Sequence, residues 1–80
     1  MDYTTHTPRQ LGQTLRGQRK SQQLTQKDAA KMVGLLPKTV SKLELTAETA
    51  TIESLFKLLS ALELELVVRT RSANAQDKEW

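Results

Sequence analysis

The 80-residue sequence predicts one mainly all-α domain of four to five helices, followed by a short carboxy-terminal strand that pairs across a homodimer. Three observations support this fold class. Four segments with helical spacing of apolar residues begin at threonine caps or at proline, the apolar period changes to two near residue 63, and cysteine is absent. A core this small gains stability when a second copy packs against it.

The first helix is predicted to begin at Pro8 and to end near Lys20. Thr7 is a suitable N-cap, proline suits the first helical position, and Gln10 at the third position can complete a capping box. Residues 1–6 show no apolar period, and we expect them to be flexible.

The second and third helices are predicted to follow each other closely. Thr25 can cap the second helix, with Asp28 at its third position to complement the helix dipole. Gly34 can end that helix in the left-handed conformation. Three residues later Pro37 opens a third helix, although the preceding Leu36 is a poor N-cap by side chain.

The spacing of small and apolar residues across these two helices is that of a helix-turn-helix. With Gln26 as the first position, Ala30 is fifth, Gly34 ninth, Val40 fifteenth and Leu43 eighteenth. A small fifth residue lets the helices cross closely, the glycine turns the chain, and the two apolar residues hold the second helix on the core. Its opposite face is left free to enter the major groove of DNA.

A fourth helix, capped by Thr51 after a predicted loop at 45–50, carries the strongest helical apolar pattern of the chain. This pattern predicts that its apolar residues belong to the core. They are Ile52, Leu55, Phe56, Leu58, Leu59 and Leu62.

Leu64, Leu66 and Val68 then alternate with mostly charged neighbours, a period of two that favours a strand. A lone strand leaves its backbone groups unpaired, and the chain offers no second strand. The sequence therefore predicts antiparallel pairing with another copy across a two-fold axis. The alternative is that the fourth helix continues through 63–68, because leucine and glutamate are good helix formers.

Charge is divided unevenly along the chain. Residues 1–43 hold eight basic and two acidic residues, a net charge of +6, and residues 44–80 hold four basic and seven acidic residues, a net charge of −3. This division suggests that the first half faces a polyanion and the second half faces protein or solvent.

Several other classes of function are not expected. No apolar run reaches the about 20 residues that span a membrane, so we expect a cytoplasmic chain without a membrane partner. His6, the single histidine, lacks a second ligand, which argues against a metal. Without a nucleophile–base pair or a phosphate-binding glycine loop, no enzyme, cofactor or small-molecule substrate is expected.

These features resemble the Xre/Cro-like phage-repressor family. The matching residues are Arg19, Leu24-Thr25-Gln26, Ala30, Gly34, Val40-Ser41 and Leu43-Glu44. The resemblance implies a phage-repressor-like helix-turn-helix domain, which we place at residues 7–70. It also implies an internal ion pair between Arg19 and Glu44.

The resemblance further implies that the third helix recognises DNA and that Gln26 contacts the DNA backbone. The residues expected to face DNA from the third helix are Pro37, Lys38, Thr39, Ser41 and Lys42. We assign Lys38 to base readout and Lys42 to phosphate or base, because lysine can donate to guanine or to a phosphate oxygen. The family often carries serine, threonine or glutamine where this chain has Leu36 and Pro37, so this chain departs from the family's pattern at the start of the third helix.

Residues 51–66 and the final Glu79-Trp80 are similar, more narrowly, to HipB-type antitoxins. That resemblance implies autorepression of a toxin–antitoxin operon by a dimer on a palindromic, double-stranded DNA operator. It also implies a HipA-type serine/threonine kinase as the toxin partner. We expect residues 71–80 to be a disordered tail and Trp80 to anchor the toxin, since tryptophan is enriched at binding hot spots.

Two other functions remain open at the level of sequence. One is a stand-alone phage- or plasmid-type repressor, which binds its operator but no kinase. The other is a toxin-binding module without meaningful operator affinity, for which partner binding is insensitive to salt and DNA binding shows no sequence preference.

Overall fold

The computed structural model describes residues 2–71, and in them the chain folds as four α-helices with one short 3-10 helix. The helices are α1 (Pro8–Ser21), α2 (Gln26–Val33), α3 (Pro37–Leu45) and α4 (Ile52–Ala61). The predicted all-α fold and the order of its four helices are confirmed. The predicted loop at 45–50 is more ordered than expected, because α3 includes Leu45 and the 3-10 helix covers Ala47–Thr49.

The threonine caps form at three of the four helix starts. Thr7, Thr25 and Thr51 each accept a hydrogen bond through the hydroxyl from the backbone N–H three residues later. At α2 the capping box is complete, because the Asp28 carboxylate also accepts from Thr25 N at 3.0 Å. These bonds lower the pKa of Asp28, since they favour its charged form.

The capping box predicted at α1 is wrong in one partner. The Gln10 side chain accepts from His6 N at 2.6 Å rather than from the backbone of Thr7. The Gln10 amide thus holds the residue before the cap. Residues 2–6, the amino-terminal arm, run back along α1, where the Tyr3 hydroxyl donates to Gln18 at 3.3 Å. The flexibility expected of residues 1–6 stays a prediction.

The turn between α2 and α3 depends on Gly34. This residue ends α2 with a φ of 72°, a left-handed conformation that glycine adopts without steric cost. Leu35 N then donates to Ala30 O at 2.9 Å, which closes the turn. Ala29 and Ala30 are buried where the helices meet, as the small fifth position of the motif requires.

The core lies between all four helices and is mostly leucine. Its largest fully buried side chains are Leu15, Val40, Leu43, Leu58 and Leu62. The prediction that Ile52 and Phe56 belong to the core is wrong, because they are 66% and 50% exposed. These two residues are four apart on a second stripe of α4, beside the stripe that packs inward.

The alternative in which α4 continues through 63–68 is also wrong. The helix ends at Ala61, Glu63 turns the chain with a φ of 59°, and Leu64 N donates back to Leu59 O at 2.8 Å. Residues 64–71 then run without helix or intrachain strand pairing. The predicted strand needs a second copy, so it stays a prediction. No helix within residues 2–71 combines the length and apolar character needed to cross a membrane.

Candidate nucleic-acid interface

A buried ion pair joins α1 to the end of α3. Arg19 Nε donates to Glu44 Oε2 at 2.6 Å, and Arg19 Nη2 donates to Glu44 Oε1 at 3.1 Å. The two residues are only 7% and 6% exposed. This two-pronged hydrogen bond raises the pKa of Arg19 above its usual value. Arg19 is therefore used inside the fold and is not a free cation for DNA.

The same pair also positions the start of α2. Arg19 Nη1 donates to Leu24 O at 2.8 Å, and Gln26 Nε2 donates to Glu44 Oε1 at 3.1 Å. A carboxylate only accepts hydrogen bonds, so the amide nitrogen of Gln26 must face it. The amide nitrogen carries a second hydrogen, and the contact of Gln26 with the DNA backbone stays a prediction. Sequence reasoning did not find this link to Glu44.

Gly12 permits the close approach of α1 to α3. A Cβ atom built on Gly12 would overlap the backbone carbonyl of Glu44, whereas one built on Gly17 would meet nothing within 4 Å. Sequence reasoning gave Gly12 no role. The available signal was a glycine within a helical pattern, which often marks a packing requirement.

The predicted DNA-facing residues of α3 divide by exposure. Pro37, Lys38 and Lys42 are exposed, while Thr39 and Ser41 are half-buried. The lysines are four positions apart, so they lie on one face of the helix. The structure thus gathers the two cations that sequence assigned to DNA, and it gives the hydroxyl residues less access.

Exposed positive charge dominates the surface of the first three helices. Apart from the buried ion pair, Asp28 is the one acidic residue among the helices α1 to α3, and it is opposed by seven exposed basic residues. These are Arg9, Arg16, Lys20, Lys27, Lys31, Lys38 and Lys42. An excess of this kind suits a polyanion such as DNA.

The remaining predicted site residues lie in the second half. Leu64 is half-buried, and Leu66 and Val68 are exposed in the single chain. Trp80, the predicted toxin anchor, and the tail at 72–80 lie outside the described residues. Within the part of the chain that the structure describes, no group of three or more acidic, histidine or cysteine residues could hold a metal ion.

Comparison with known proteins matches this arrangement to one family. A sequence model described as helix-turn-helix matches residues 15–68. Antitoxin HipB of Escherichia coli O6:H1 strain CFT073 is 28% identical over an alignment 81 positions long, which covers 94% of this chain and 86% of that protein. Antitoxin HipB of strain K12 is also 28% identical, with coverage of 94% and 92%.

Solved structures give the same similarity in three dimensions. A HipB–O4 20mer complex aligns with a TM-score of 0.84 and 27% identity, over 89% of this chain and 100% of that one. A HipA–HipB–O2–O3 complex aligns with the same TM-score, identity and coverage. The resemblance to Xre/Cro-like proteins, and to HipB-type antitoxins in particular, is confirmed.

Proposed function

This chain belongs to the helix-turn-helix family, and we propose that it is a dimeric DNA-binding antitoxin that represses its own HipBA-like operon in the cytoplasm. The exposed basic face of α3, held by the buried Arg19–Glu44 pair, is the observation on which the DNA-binding proposal rests. Similarity to HipB antitoxins and to a HipB–O4 20mer complex supports it.

On DNA, α3 lies in the major groove and each residue has a separate task. Lys38, at the start of the helix, donates to a guanine, and Lys42, one turn later, donates to phosphate or to a base. Pro37, which is exposed, and the half-buried Thr39 and Ser41 make fewer and less discriminating contacts. Gln26 donates to the DNA backbone with the amide hydrogen that Glu44 leaves unused.

A second copy completes the second half of the fold. Leu66 and Val68 are exposed and line one groove with Ile52, between the amino-terminal arm and α4. We place the antiparallel strand pairing at Leu64, Leu66 and Val68, so that two copies cover this apolar surface. The two-fold axis then presents two α3 helices to a palindromic operator with half-sites about 34–36 Å apart.

The toxin partner is a HipA-type serine/threonine kinase, and Trp80 is its anchor. The solved HipA–HipB–O2–O3 complex, which aligns with this chain, supports a HipA-type partner. The test mixes the dimer with the product of the neighbouring gene and compares the full chain with Trp80→Ala. Weaker binding of the variant is expected. Unchanged affinity would remove Trp80 from the interface, and absent binding by both would favour a stand-alone repressor.

The DNA-binding proposal is tested by fluorescence-anisotropy titration of the chain's own upstream DNA and a scrambled duplex, each at two salt concentrations. Tighter, salt-dependent binding to the upstream DNA is expected. Equal or absent binding to both would leave a toxin-binding module. Lys38→Ala should weaken specific binding by about 1–3 kcal/mol, and Lys57→Ala is the matched control because it removes the same charge from α4.

The dimer is tested by light scattering on Leu66→Lys and Val67→Lys. Alternation places Leu66 and Val67 on opposite faces of the predicted strand. Only Leu66→Lys should give a monomer, since it introduces a charge into the apolar surface between the copies. A Leu66→Lys protein that is still dimeric would rule out this interface.

A further inference from the structure

The N-cap of α3 differs from those of the other helices. Thr7, Thr25 and Thr51 cap α1, α2 and α4 through their hydroxyls, whereas Leu36 precedes α3 and makes no side-chain cap hydrogen bond. Leucine is among the poorest N-caps, and a serine, threonine or aspartate there would stabilise the helix. Helix stability alone therefore does not account for a leucine at this position.

Core packing does not account for Leu36 either. Its neighbour Leu35 packs against the core cluster, but Leu36 is not among the side chains that pack there in the described residues. It is 58% exposed, and Pro37 and Lys38 beside it are exposed as well. The leading end of α3 thus exposes an apolar group two residues before the lysine assigned to base readout.

We propose that Leu36 contacts the 5-methyl group of a thymine in the operator, an inference that rests on the proposed DNA-binding function. Thymine is the one base that presents a methyl group in the major groove. Leucine has no hydrogen-bonding group, so it favours that methyl over the polar edge of a cytosine. The operator then carries a specific thymine close to the base read by Lys38.

The test removes only the methyl groups. Anisotropy titrations compare the chain's upstream duplex with the same duplex carrying deoxyuridine in place of thymidine. Losing contact with one methyl should cost about fourfold in affinity, from about 0.8 kcal/mol per buried carbon, and two half-sites should give about fifteenfold. Single thymine-to-uracil replacements then locate the position in each half-site.

Variants assign the effect to Leu36. Leu36→Ala should bind the thymine and uracil duplexes equally. Met32→Ala is the matched control, because Met32 is also 58% exposed but lies near the end of α2, and it should keep the full thymine preference. Leu36→Ser should lose the preference while raising the melting temperature through a new cap, a combination that a purely structural role for Leu36 does not produce.

Each outcome separates this inference from the proposed function. Specific binding that is insensitive to uracil keeps the repressor and overturns the role of Leu36. A thymine preference that persists in Leu36→Ala also overturns it, because another residue then reads the methyl. Absence of specific binding to the unmodified upstream duplex removes both proposals together.

Discussion

A first half made of α1 to α3 and a second half from α4 onward differ in how far each completes its own packing. In the first half, α1, α2 and α3 are joined by the Arg19–Glu44 pair, which also holds Gln26 and the backbone of Leu24. In the second half, α4 fills the core with one stripe but leaves Ile52 and Phe56 exposed.

This difference shows where the molecule relies on other molecules. The first half buries the Arg19–Glu44 pair and exposes basic side chains, so its surface is suited to contact with a polyanion. The second half exposes apolar side chains and carries most of the acidic residues, so it is suited to contact with protein.

Breaking the ion pair should have the largest effect. Glu44→Ala leaves the Arg19 charge buried without a partner and should lower the free energy of unfolding by about 3–5 kcal/mol. Urea denaturation measures this loss. Glu48→Ala, which removes an exposed carboxylate from the 3-10 helix, should stay within about 0.5 kcal/mol. A loss below about 1 kcal/mol for Glu44→Ala would show that the Arg19–Glu44 pair does not hold the first half together.

The two glycines of α1 should respond in opposite directions. Gly12→Ala forces a methyl group against the Glu44 carbonyl and should destabilise the fold by about 1–3 kcal/mol. Gly17→Ala places its methyl in open space and should stabilise the helix by about 0.5–1 kcal/mol. Denaturation of both variants is the measurement, and equal stabilisation by both would show that α1 and α3 are not in close contact.

The second half should make stability depend on protein concentration. A dimer gains about 1.4 kcal/mol for each tenfold rise in concentration, which corresponds to a melting temperature about 4 °C higher. Calorimetry should detect this rise in the wild type and lose it in Leu66→Lys. A wild-type melting temperature independent of concentration would mean that the second half is complete within one chain.

The capping box of α2 should give the smallest effect, and one that depends on pH. The pKa of Asp28 is lowered in the folded state by its bonds to Thr25. The contribution of Asp28 to the free energy of unfolding is therefore fully present above its ordinary pKa of about 3.9. That contribution is lost as the pH falls through the lower, folded pKa. Asp28→Ala should therefore be less stable than wild type at pH 7, with the difference shrinking in acid. A difference independent of pH would exclude this origin.

The local features of the fold were predictable from sequence because neighbouring residues decide them. A threonine cap, a proline at the first helical position and Gly34 after α2 each act within about four residues along the chain. The order of helices and the helix-turn-helix spacing follow from such features and from apolar periodicity.

Tertiary structure decided the features that depend on distant segments. Whether Ile52 and Phe56 are covered depends on which stripe of α4 meets the other helices, and a helical period alone does not distinguish two adjacent stripes. Gly12 lies against the backbone of Glu44, which is 32 positions later in the chain. The Gln26 amide donates to the side chain of the same Glu44, which is 18 positions after Gln26.

The helices, their threonine caps, the turn at Gly34 and the division of charge therefore follow from the chain alone, since each is a property of neighbouring residues or of composition. Helix packing was needed to show that Glu44 accepts hydrogen bonds from both Arg19 and Gln26, and that Leu36 remains exposed at the start of α3 while Leu35 packs inward. Burial and hydrogen bonding between residues distant in the chain arise only when the helices pack together.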